Sequence, residues 1–166
     1  MSALRVVVMG VSGCGKTTVG MALAERLGAR FIEGDRLHPE ANVAKMAAGI
    51  PLTDADRWPW LDAVAAALAA DAPVIASCSA LKRAYRERLR SGSGTPLHFL
   101  HLAGDRAILA QRMGERPGHY MPVSLLDSQL ATLEPPGPDE ALTLPMDMPI
   151  DHLVETAIAA FTKGSS

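Results

Sequence analysis

The sequence is poor in the features that staple small extracellular domains together and in those that mark membrane or nucleic-acid proteins. Its 166 residues contain 2 cysteines, Cys14 and Cys78. That is too few for a disulfide framework, and no Cys/His group has zinc-site spacing, so reduced thiols are expected. No apolar run approaches the roughly 20 residues that a bilayer span requires, and the most apolar stretch, residues 63–70, is short and alanine-rich. Neither sign of charge dominates: 16 basic against 18 acidic residues leave a net charge of -2. The general attraction that a basic protein exerts on nucleic acid or anionic membrane is therefore missing, neither partner is expected, and any anion must be bound locally.

What is present is an ordinary globular composition, 48% hydrophobic and 20% charged, in a length that one domain accounts for. A single domain over 1–166 is expected. The run LRVVVM at 4–9 reads as a buried strand, followed by a glycine-rich turn and a helix from Lys16 with Val19, Leu23 and Leu27 on one face and Gly28 at its end. Further strands are expected at 30–33, 73–77, 97–102 and 141–144. Helices are expected at 41–48 after Pro39, at 61–70, 82–90 and 123–133, from Asp105 to 113, and at 150–161. Residues 91–94, SGSG, read as a loose turn, and residues 53–60 as a polar and aromatic lead-in to the alanine-rich helix. Strands that alternate with helices imply a parallel sheet covered on both faces, a three-layer α/β/α fold with about five strands.

The turn after the first strand is Gly10-Val11-Ser12-Gly13-Cys14-Gly15-Lys16-Thr17, which fills every fixed position of G-x-x-x-x-G-K-[ST]. Its chemistry follows from its residue types: glycines let backbone N–H groups turn inward around phosphate oxygens at a helix N-terminus whose dipole favours negative charge. Lys16 supplies a cation for the β- and γ-phosphates of ATP, the Thr17 hydroxyl is the expected Mg²⁺ ligand, and Ser12 and Thr18 add hydroxyls nearby. Residues 1–9 have the arginine and apolar run of a short signal peptide, but cleavage there would destroy this loop, and a cytoplasmic protein is expected.

Such a loop serves switches, motors and kinases alike. The D-x-x-G and N-K-x-D motifs of a GTPase switch are missing, and the third strand ends in Ser77-Cys78-Ser79, where many ATPases place an acidic metal ligand. The acidic group appears instead as Asp35, after the second strand. The carboxyl ends of parallel strands open onto one crevice, so Asp35 is expected beside the phosphate loop, able to take the proton of an attacking alcohol. A helix N-cap is the plain alternative for Asp35, and capping or packing for His38.

The blocks MGVSGCGKTT, GDRLHPEANVAKMAAGIPLTDADRWPWL, CSALKRAYRERLR and RMGERPGHYM resemble the gluconate kinase family over nearly the whole chain. GDRLHP and CSALK set it apart from shikimate and nucleotide kinase relatives, and the Gly-Gly pair of shikimate kinases is missing. The resemblance implies a P-loop kinase fold, transfer of the ATP γ-phosphate to the 6-hydroxyl of D-gluconate, and a possible homodimer. Gluconate is a polyol carboxylate. Its site needs a cation, with Arg57, Lys82 and Arg83 as candidates and Lys82 the best placed, and hydroxyl partners, for which Asp35, His38 and Ser79 stand. Arg83 opens a helix that also contains Arg86, Arg88 and Arg90, so a solvated surface position is its alternative. Residues 112–122 read as a lid in which Arg116 closes over the phosphates and Arg112 lies against the adenine. His119 and Tyr120 belong to the family pattern without an assigned role. Trp58 stands where the family has a polar residue, Trp60 reads as a packing anchor, and Cys14 replaces a family Ser or Ala.

Overall fold

The computed structural model describes residues 4–11, 13–115 and 123–162, with backbone only for 112–115 and 123–125. Five strands, β1 (Arg5–Met9), β2 (Arg30–Glu33), β3 (Val74–Ser77), β4 (His98–Ala103) and β5 (Leu142–Pro145), form one sheet in the order β2-β3-β1-β4-β5, with every neighbouring pair parallel. Val6, Val7 and Val8 on β1 are all fully buried, because helices cover both faces of a central parallel strand; this is why the run does not alternate.

The helices are α1 (Lys16–Leu27), α2 (Glu40–Ala47), α3 (Asp54–Ala69), α4 (Arg83–Ser93), α5 (Arg106–Glu115), α6 (Val123–Thr132) and α7 (Ile150–Thr162). α1 packs with α7 over the strands, and α3 packs with α4, which gives the α/β/α layering that the alternation implies. Gly28 ends α1 in the left-handed conformation, and the Asp105 side chain accepts from the Ile108 N–H at 2.9 Å to start α5.

Two boundaries differ from expectation. α3 begins at Asp54 rather than near 61. Thr53 Oγ1 accepts from the Asp56 N–H at 3.1 Å while Asp56 Oδ2 accepts from the Thr53 N–H at 2.9 Å, a reciprocal cap that starts the helix early. Pro59 then lies inside the helix and removes one backbone bond, a loss offset by burying Trp60, Leu61, Val64 and Leu68. α4 likewise continues through the expected SGSG turn to Ser93 and stops at Gly94, whose φ of 67° ends the helix.

β1 leads to β2 on one side of the sheet while its neighbour β4 leads to β5 on the other, so the connections leaving their carboxyl ends diverge and open a crevice there. The phosphate loop, the segment after β2 and the segment after β3 all reach this edge. Ala80, in the last of these, is fully buried with φ 46°, a left-handed conformation that a non-glycine residue adopts only where its surroundings enforce it.

Candidate active site

The phosphate loop folds as its glycines require. Gly10, Gly13 and Gly15 have φ values of 144°, 86° and 95°, which side chains disfavour, and Gly15 precedes the first residue of α1. Val11 and Cys14 are buried; Cys14 shares the loop through its backbone, and its thiol faces the core side of Gly10. Lys16 Nζ donates to the carbonyls of Gly10 and Val11 at 3.0 and 3.1 Å, so the ammonium lies over its own loop. Thr18 is exposed, and Ser12 lies outside the described residues.

Below the loop is a carboxylate that motif reading overlooked. Glu33, the last residue of β2, is paired in register with Ser77 of β3. Its Oε2 accepts from the Thr17 hydroxyl at 2.7 Å and its Oε1 from the Ser77 hydroxyl at 2.6 Å, while Ser77 Oγ in turn accepts from the Gly34 N–H at 3.2 Å. Gly34 approaches so closely that a Cβ on it would lie 2.0 Å from the Ser77 carbonyl oxygen. The missing acid at the end of β3 thus has a counterpart one strand over. The signal was available: an acidic residue ending a strand whose neighbour faces the phosphate loop.

A cavity next to the loop is lined by Lys16, Asp35, His38, Arg57, Trp60 and Ser79, with Met46, Pro51, Leu52, Leu81, Ser128 and Gln129 completing it. The tertiary structure therefore brings together residues that span more than 60 positions of sequence, and α6 adds two polar side chains with no motif to announce them. Asp35 sits in a 3-10 turn, Gly34–Leu37. Among the described residues no hydrogen bond reaches its carboxylate, which leaves both oxygens for a ligand. Trp60 is buried, donates its indole N–H to the Gly34 carbonyl at 2.8 Å, and stacks on the His38 ring with centroids 4.0 Å apart. It anchors the wall and is part of it. Burial lowers the His38 pKa to about 4; the Asp35 charge opposes this and the Arg57 charge adds to it. The ring is neutral at physiological pH.

The three candidate cations occupy different places. The Arg57 residue is only 8% exposed and lines the cavity; its Nη1 donates to the Tyr85 hydroxyl at 2.8 Å. No carboxylate of the described residues pairs with it directly. Lys82 instead pairs with Asp54 at 3.1 Å on the outer side, and Tyr85 donates its hydroxyl to the same Asp54. Tyr85 first and Lys82 second hold the Asp54 carboxyl below the ordinary carboxylate range. Arg83 is exposed and pairs with Glu87 at 3.3 Å. Lys82 and Arg83 are thus outside the cavity lining, and Arg57 is inside it. Trp58 packs edge-on against Tyr85 and under Arg88. The side chain of Arg112, and Arg116, His119 and Tyr120 with the rest of the lid segment, lie outside the described residues.

Among the described residues no helix is long and apolar enough to cross a membrane. A family model described as an AAA domain matches residues 6–136. The chain is 57% identical over 138 residues to a gluconokinase of Gluconobacter oxydans (strain 621H), covering 81% of this chain and 77% of that protein. It is 42% identical over 164 residues to a thermoresistant gluconokinase of Escherichia coli (strain K12), covering 95% and 93% respectively. The structure superposes on that of a gluconokinase from Sinorhizobium meliloti 1021 with a TM-score of 0.88 at 50% identity, over 98% of this chain and 93% of the other. Phosphate loop, acidic strand ends and end-to-end similarity agree: the chain belongs to the gluconokinase family of P-loop kinases.

Proposed function

We propose that the protein transfers the γ-phosphoryl group of ATP to the 6-hydroxyl of D-gluconate, yielding 6-phospho-D-gluconate. The observation that carries the acceptor assignment is Arg57: a buried guanidinium without a carboxylate partner is costly, and a substrate carboxylate entering the cavity supplies the missing anion. Asp35, His38 and Ser79 line the same cavity and offer hydrogen bonds to a polyol, while Trp60, Met46 and Leu52 cover its carbon chain. Family membership and the loop geometry support ATP as the donor.

Asp35 accepts the proton of the attacking hydroxyl, and Lys16 swings from the loop carbonyls to the β- and γ-phosphates. The Thr17 hydroxyl and the Glu33 carboxylate form a hard oxygen pair that suits Mg²⁺, an ion commonly held by one or two protein oxygens together with phosphate. Held by Thr17 and Glu33, it would neutralise charge on the phosphates. Arg116 and Arg112 complete the site from the lid, on phosphate and adenine respectively. A cytoplasmic homodimer is part of the same reading.

ADP release with Mg²⁺-ATP, assayed across gluconate, other sugar acids, free sugars, shikimate and AMP, tests the reaction. Turnover is expected with gluconate, and transfer only to another acceptor would overturn the substrate. Arg57→Ala is expected to lower kcat/KM for gluconate by about 30-fold or more, corresponding to roughly 2 kcal/mol for a desolvated charge pair, with the KM for ATP nearly unchanged. Equal loss with an uncharged polyol acceptor would show that Arg57 does not read the carboxylate.

A further inference from the structure

Among the described residues the His38 ring makes one hydrogen bond, to Asn42, and that bond determines where its proton sits. Asn42, 3% exposed on α2, places Nδ2 2.9 Å from the Asp56 carbonyl oxygen and 3.2 Å from His38 Nδ1. A carbonyl oxygen can only accept, so the Asn42 atom facing it is the amide nitrogen, and the orientation of the amide follows. That nitrogen has two hydrogens and acts only as a donor. One hydrogen goes to Asp56, and the other requires an unprotonated Nδ1 on His38. The imidazole proton therefore resides on Nε2, the ring's remaining polar atom, in a side chain that lines the acceptor cavity and is held flat against Trp60.

We propose that Asn42 is a positioning residue that keeps His38 as a neutral Nε2–H donor, so that the ring offers a hydrogen bond to an acceptor oxygen but cannot take the proton of the attacking hydroxyl. The inference rests on the kinase reading above and deepens it: it divides the two groups beside the acceptor into a donor, His38, and a base, Asp35. The charged groups around the ring are Asp35 from the 3-10 turn, Arg57 from α3 and Lys16 from the phosphate loop. Lys45 and Asp56 flank Asn42 and pair with each other at 2.7 Å.

Two measurements test it. In the full-length protein, long-range ¹H–¹⁵N spectra of the His38 ring are expected to show a protonated Nε2 and a bare Nδ1, unchanged from pH 6 to 8. A protonated Nδ1, or a ring that titrates in that interval, overturns the proposal whatever the substrate proves to be, so this arm stands apart from the ADP-release test. In kinetics, Asn42→Ala is expected to raise the gluconate KM about tenfold, the scale of one hydrogen bond, to lower kcat less, and to bring a histidine ionisation into the pH profile of kcat/KM. In a His38→Ala background the same change should add less than about twofold. An equal effect in both backgrounds would make Asn42 merely an anchor for α2 and overturn the proposal.

Discussion

Asp35→Asn is expected to lower kcat by about 10²–10⁴-fold, the usual contribution of a positioned general base, with the KM for ATP little changed. The substitution keeps size and shape and removes only the capacity to accept a proton. The magnitude follows from the lack of substitutes: His38, which shares the cavity with Asp35, is neutral with its pKa lowered to about 4, and its outward nitrogen already carries a proton. Lys16 donates to the Gly10 and Val11 carbonyls and accepts nothing. Steady-state kinetics with a thermal melt as a folding control decides the matter. A raised gluconate KM at constant kcat would make Asp35 a hydroxyl ligand instead of a base.

Glu140→Ala is expected to destabilise the fold by about 3–5 kcal/mol, the range for removing one partner of a buried ion pair, read as a lower urea midpoint at constant slope. Arg86 and Glu140 have side chains 1% and 6% exposed and meet at 2.6 Å. Arg86 also donates to the carbonyls of Ala80, Leu81 and Glu134, so it ties the strained loop after β3, which presents Ser79, to the segment before β5. Losing Glu140 leaves a guanidinium in the interior facing only carbonyls. By contrast Arg88–Asp62, with side chains 44% and 51% exposed, is screened by water, and breaking it should change stability by about 1 kcal/mol or less.

The same pair gives a pH dependence. Burial raises the Glu140 carboxyl, but the Arg86 hydrogen bonds and the charges of Arg86, Arg90 and Arg83 outweigh it and leave the pKa below its ordinary value. A lowered acid pKa means that the unfolded chain binds the proton more readily. The pair's contribution is therefore complete above the unfolded value of about 4.5 and is lost as the pH falls through the folded one.

How far local information reaches can be judged residue by residue. The phosphate loop was legible because glycine φ angles and a Lys-Thr pair are properties of contiguous backbone, and the strand and helix order because periodicity is local as well. Asp35 could be placed because a strand end in a parallel sheet has one destination. The early start of α3 was also written locally, in Thr53 and Asp56, but Pro59 masked it.

Charged side chains are different, because their environment is set by partners far away in sequence. Arg86 sits in a helix whose four arginines look alike in sequence, yet it is buried because α4 packs on α3 and Glu140 arrives from 54 residues away. Lys82 stands at a strand-end loop as expected, but Asp54, 28 residues earlier, holds it outside the cavity. Arg57 is inside because the capped start of α3 turns it toward Tyr85. Glu33 meets Ser77 because β2 and β3 align in register, and meets Thr17 because the start of α1 lies against the end of β2. The sequence by itself determined which chemistry is available and the strand edge at which it gathers, since both follow from local backbone rules. Which candidate cation lines the cavity, which acid meets the threonine and which nitrogen of the His38 ring accepts from Asn42 were decided by tertiary packing, because desolvation and hydrogen-bond partners exist only once distant segments meet.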